Sequence, residues 1–127
     1  MAMANPYAKY ATQSINTATP EELTLKLYEG CIKFINLAMI GIDEKNIEKA
    51  NTNIVKAQNI INELNITLDM NYEISKNLRQ LYDYLHRRLI DANIKKDKVI
   101  LEEVKEFVVE FRDTWKQAMA LARKQRG

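Results

Sequence analysis

The 127 residues predict an all-α protein, an antiparallel up-down-up-down four-helix bundle preceded by an N-terminal cap segment. Three observations carry this expectation. Only three Gly and two Pro punctuate the chain, too few for the many turns of a β-rich fold. Apolar residues recur at alternating spacings of three and four along most of its length, the period of a buried helical face. The links between these periodic runs are about three to six residues long, which favours antiparallel neighbours. A hydrophobic fraction of 46% and a charged fraction of 28% supply a core and a hydrated surface for one domain, without disulfides or metal.

Residues 1–18 are polar and aperiodic, with Tyr7, Tyr10 and Ile15 set among Asn, Ser, Thr, Gln and Ala, and read as a flexible cap segment ahead of a bundle spanning 19–127. The first helix starts at Thr19-Pro20-Glu21-Glu22. Thr19 caps, Pro20 suits the first helical position, and Glu22 reaches back to complete a capping box. It is expected to run to about Ile40, with Gly41 as the stop. The second helix, about Asn46 to Leu64, carries Ile47, Ala50, Ile54, Ala57, Ile61 and Leu64 on one face. The third, about Asn71 to Asn93, repeats the pattern with Ile74, Leu78, Leu81, Leu85, Leu89 and Ala92. Asp97 caps the fourth, whose face holds Ile100, Val104, Phe107, Phe111, Trp115, Ala118 and Ala122 and which ends near Arg123.

The net charge of +2 is too small to imply a polyanionic partner. Residues 1–75 hold 6 Lys/Arg against 9 Asp/Glu and residues 76–127 hold 13 against 8, but the basic groups are short and interrupted by acids. They read as solvated helix surface, and no nucleic-acid partner is expected. The single cysteine, Cys31, fits a reducing compartment. The N-terminus has neither the basic nor the apolar region of a signal peptide, and no apolar run is long enough to span a membrane. These features predict a cytoplasmic protein with no membrane insertion.

Catalytic constellations do not assemble. Asp83-x-x-His86 is one copy of a motif that di-metal bundles need twice, with further carboxylates, and His86 is the only histidine. Cys31 falls on an apolar helix face, where an inert thiol is the default. Glu102, Glu103 and Glu106 form a charged face, and no Gly-rich loop exists to cradle phosphate. No cofactor, metal or enzymatic activity is expected.

The apolar residues exceed what a core needs. On the first helix Leu23, Leu25, Leu27, Tyr28, Cys31, Ile32, Phe34, Ile35, Ala38 and Met39 cover roughly 200° of arc, about twice the usual stripe. Val55 and Ile60 lie off the main face of the second helix, Tyr72, Tyr84 and Ile90 off that of the third, and Val109 off that of the fourth. Two explanations stand open: a thick bundle whose first helix packs on two neighbours beneath the N-terminal segment, or grooves awaiting an amphipathic partner helix. On the second, Leu25, Ile32, Met39, Val55, Tyr84, Ile90 and Val109 are the candidate contacts. A homo-oligomer that buries the same surface against its own copies is a third.

Several collinear segments resemble one family. Tyr7-x-x-Tyr10, then Thr12-Gln13-Ser14-Ile15 and Thr17-Ala18-Thr19-Pro20-Glu21-Glu22-Leu23, resemble the N-terminal signature of the FliS flagellar export chaperones. Leu27 to Ile32 resembles that family's first helix, Leu81 to Leu89 with Ala92-Asn93 its third, and Leu101 to Val104 with Arg112 to Trp115 its fourth. The resemblance implies a chaperone that binds the C-terminal region of flagellin, prevents premature polymerisation and delivers it to the flagellar type III export apparatus. It also implies that the segment with Tyr7, Tyr10 and Ile15 covers part of the client surface, moves aside for client and contributes to export-gate contact. The free chain is expected to be a monomer or weak dimer.

Overall fold

The computed structural model describes residues 19–126. They form four helices, α1 (Pro20–Asp43), α2 (Ile47–Ile66), α3 (Glu73–Lys95) and α4 (Lys98–Arg126), and no strand lies among them. Each helix packs on its neighbours in sequence and α4 closes the ring against α1. The cross-helix contacts pair the start of one helix with the end of the next. Gly41 abuts Ala50 while Gly30 abuts Ile60. Asn93 donates to Asn51 at 2.7 Å while Asn65 donates to Asp83 at 2.8 Å. Lys98 reaches Asp43 at 2.7 Å while the Trp115 indole donates to the Glu21 carbonyl at 2.9 Å.

The capping box forms at the start of α1. The Glu22 amide donates to Thr19 Oγ1 at 3.2 Å, and the Thr19 amide donates to the Glu22 carboxylate at 2.9 Å. These bonds hold the Glu22 carboxyl below its ordinary pKa, and they satisfy amide donors that a helix N-terminus leaves free.

The predicted stop at Gly41 is corrected: α1 runs two residues further, to Asp43. Lys45 takes the left-handed conformation (φ 58°) instead. Its amide donates to the Ile42 carbonyl at 3.0 Å, and the Asn46 amide donates to the Gly41 carbonyl at 2.8 Å, which closes a Schellman turn. Gly41 is buried inside the helix because α2 passes there: a Cβ on it would stand 2.8 Å from the Ala50 nitrogen. Asn46 then caps α2 by accepting from the Lys49 amide at 3.0 Å. At the far link Lys96 is left-handed (φ 51°), and Asp97 caps α4 by accepting from the Val99 amide at 2.8 Å.

The core holds most of the predicted stripes, with shifts at their edges. Ile60, expected off the main face of α2, is fully buried, and Tyr82, Leu101 and Val108 join it. Ile47 and Ile74 belong to their stripes by spacing but are 68% and 64% exposed, because each sits in the first turn of its helix. Across the core the Tyr28 and Tyr82 hydroxyls share a hydrogen bond of 2.7 Å, and both rings pack on Phe111. Burial pushes both phenols above their ordinary pKa.

Candidate binding surface

Leu25, Ile32 and Met39 share one flank of α1 at the helical step of about 100°. That flank faces α4, since Glu21, Tyr28 and Asp43 on the same side contact Trp115, Phe111 and Lys98. Val109 lies on the α1-facing flank of α4. Four of the predicted contact residues therefore border one seam, between α1 and α4. Leu25, Met39 and Val109 are half-buried along it. Ile32 is 9% exposed and belongs to the core, so a charge placed there disturbs packing directly.

The seam opens at one end into a cleft of about 760 Å³ between the first turn of α1 and the last turns of α4. Trp115, Ala118, Met119 and Ala122 give it an apolar floor, while Thr19, Glu21, Glu22 and Arg123 form its rim. By spacing Trp115, Ala118 and Ala122 belong to the predicted core face of α4, whereas Met119 is not among the residues that spacing singles out. Phe111 is the last α4 residue to pack on core rings from two other helices; beyond it the apolar face continues with less to cover it. The available signal was the length of the α4 stripe, which outruns its partners.

The remaining predicted contacts lie elsewhere. Val55 and Ile90, each 39% exposed, fall between the Asn51–Asn93 and Asn65–Asp83 bonds along the α2–α3 seam. Tyr84 belongs to the α3–α4 seam and is engaged. Its hydroxyl donates to Glu103 at 2.5 Å, and its ring packs edge-on against Phe107. Arg88 donates to the same carboxylate at 2.9 Å and to Asp91 at 3.3 Å. The Tyr84 hydroxyl and the Arg88 guanidinium hold the Glu103 carboxyl below its ordinary pKa. A partner entering this seam must break a charged hydrogen-bond network, which makes it a poorer groove than the one beside α1. Tyr7, Tyr10 and Ile15 lie outside the described residues.

Among the described residues, chemistry-bearing groups are not gathered into a site. Cys31 is completely buried and burial pushes its thiol up to about 12, so it stays protonated. Among the described residues no cluster of three His, Cys, Asp or Glu is placed to hold a metal ion, and no helix is long and apolar enough to cross a membrane. What the arrangement offers is an apolar seam and cleft of helical dimensions.

The flagellar protein FliS family model matches residues 3–122. The flagellar secretion chaperone FliS of Bacillus subtilis (strain 168) is 54% identical over 126 residues, covering 99% of this chain and 95% of that protein. The flagellar secretion chaperones FliS of Escherichia coli (strain K12) and Salmonella typhimurium (strain LT2) are 31% and 33% identical, covering 89% and 87% of this chain and 86% and 85% of theirs.

Proposed function

The chain belongs to the FliS family of flagellar secretion chaperones, and from that premise we propose that it binds the C-terminal amphipathic region of flagellin in the cytoplasm, prevents premature polymerisation and delivers the client to the flagellar type III export apparatus. The single observation that carries the client chemistry is the α1–α4 seam. Half-buried Leu25, Met39 and Val109 run into the cleft floored by Trp115, Ala118, Met119 and Ala122. An amphipathic helix laid along such a seam buries its apolar face and is withdrawn from self-association. The ordering cost of the client is offset by the large area that several grooves bury together.

On this reading Leu25, Met39 and Val109 contact client on one side of the bundle, and Val55 and Ile90 on the other. Ile32 supports the groove from beneath, and Tyr84 takes part only if its bond to Glu103 opens. Thr19, the first described residue, lies on the rim of the cleft, which favours a cap role for residues 1–18, with Tyr7, Tyr10 and Ile15 covering client surface until client arrives and then contributing to export-gate contact. The test is co-purification of the chain with the C-terminal region of flagellin, analysed by light scattering. A one-to-one complex supports the proposal. A free chain that forms a tight homo-oligomer and ignores the peptide refutes it.

A further inference from the structure

Along α4, Lys105, Arg112, Lys116 and Arg123 recur at seven, four and seven residues, so they lie within about 20° of one line. Lys98 extends the same line, and its bond to Asp43 of α1 fixes which way the line faces. It runs along the α1–α4 seam between Val109 and Met119, which fall about 40° to either side of it. At the helical rise the stripe from Lys105 to Arg123 is about 27 Å long, the length of a five-turn helix. Lys116 and Arg123 are exposed, and Lys105 and Arg112 half-buried. Arg112 shares its charge with Asp113 at 3.0 Å, whereas the five ion pairs among the described residues leave out Lys105, Lys116 and Arg123.

The acids of α4 are segregated from this line. Glu102, Glu106, Glu110 and Asp113 fall roughly 60–140° away on the outward face, and all four are exposed. A flat polyanion, such as an anionic bilayer or a duplex, would meet those carboxylates at the same time as the lysines. A single helix lying in the seam meets the basic edge of α4 without those four carboxylates, and at the cleft rim it also meets Glu21 and Glu22 of α1.

We propose that the α1–α4 seam selects its occupant by charge, taking an amphipathic helix that carries carboxylates along the flank of its apolar face. This rests on the assignment of the seam to client binding and adds the chemical property by which a client helix is recognised there. The apolar residues of the seam supply burial without direction. The basic line sets which way round the helix lies and disfavours helices flanked by lysine, since like charges held side by side are costly.

The test uses the full chain and two synthetic amphipathic helices with the same leucine face, one flanked by Glu and one by Lys, titrated calorimetrically at low and high salt. The Glu-flanked peptide binds about tenfold more tightly at low salt, as expected for a few partly exposed ion pairs acting together, and the advantage shrinks as salt screens them. Lys105→Gln with Lys116→Gln abolishes the preference, and Lys105→Arg with Lys116→Arg keeps it, with unchanged melting curves in both. Equal affinities in the wild type, or a preference that survives the double Gln variant, overturn the proposal. Binding to phosphatidylglycerol vesicles in competition with the Glu-flanked peptide would reassign the stripe to a lipid surface and also overturn it. Flagellin's C-terminal region is titrated alongside: its binding without any peptide preference leaves the chaperone reading intact and removes the charge selection, whereas a preference without flagellin binding does the reverse.

Discussion

Replacing Gly41 by alanine places one methyl group against the backbone of α2. The new Cβ would stand 2.8 Å from the Ala50 nitrogen, 3.2 Å from its Cα and 3.2 Å from Lys49 Cγ, where carbon contacts are at ease near about 3.5–4.0 Å. The nearest atoms are main chain, so relief requires α1 and α2 to part by several tenths of an ångström. Alanine gains about 0.8–1 kcal/mol over glycine inside a helix. Overpacking costs about 1–3 kcal/mol, and the upper end applies because no rotamer change relieves the contact. The net expectation is a loss of about 1–2 kcal/mol and a Tm lower by several degrees. Gly30→Ala is the control. Its Cβ would meet only Ile60 Cδ1, at 3.2 Å, the end of a rotatable side chain, so the helix-propensity gain leaves that variant neutral or slightly stabilised. Urea titrations of both variants by far-UV circular dichroism measure the difference. If Gly41→Ala is as stable as Gly30→Ala, the close approach of α1 and α2 is not what holds this glycine in place.

Three other outcomes follow from the same packing and charge arguments. Tyr28→Phe and Tyr82→Phe each leave a buried hydroxyl without its partner and cost about 1–2 kcal/mol; the double variant costs less than the two together, and strict additivity in a double-mutant cycle contradicts the pairing. Glu103 has a folded pKa below its ordinary value of 4.5, so its contribution to stability is fully present above that pH and is lost as pH falls through the lower folded value. The stability gap between wild type and Glu103→Gln is therefore constant in neutral solution and closes in acid; a gap that widens in acid refutes the network. Deletion of residues 1–17 leaves the melting curve of the bundle nearly unchanged, since the described residues build a continuous core of their own from Leu27 to Val108, but alters flagellin affinity or export. No change in either would remove the cap role.

The helices were legible where a local signal decides the outcome. Thr19-Pro20-Glu21-Glu22 marks a helix start whatever surrounds it, and the capping box forms as the spacing predicts. Gly41 was ambiguous because glycine serves equally as a helix stop and as a place where two backbones meet, and only the path of α2 decides between them. Stripe membership predicted burial in mid-helix and failed in first turns: Ile47 and Ile74 keep the period but lie at the ends of the rod. Ile60 and Tyr82 stand at the edges of their stripes, where burial depends on which neighbour leans over them.

The candidate surface was less legible for a physical reason. The arc on the first helix announced excess apolar area, but a groove needs two helices, and periodicity does not say which flank meets which neighbour. The structure sorts the predicted contacts into three seams, and it adds the cleft at Trp115 and Met119. The charge line on α4 was visible as a count of cations in the second half of the chain and was read as solvated surface. Its alignment with an apolar seam emerges only once Lys98 is seen paired with Asp43.

The central claim is that this chain binds the C-terminal region of flagellin through its interhelical seams. The most direct measurement is calorimetric titration of that region into the full chain, repeated with Leu25→Ser and Met39→Ser in one variant. The account predicts saturable one-to-one binding to the wild type and an affinity at least about tenfold lower in the variant, which loses apolar area worth roughly 25 cal/mol per Å², while the bundle stays folded. Equal affinity in wild type and variant would contradict the placement of the client on the α1–α4 seam, and no binding to the wild type would contradict the chaperone reading itself.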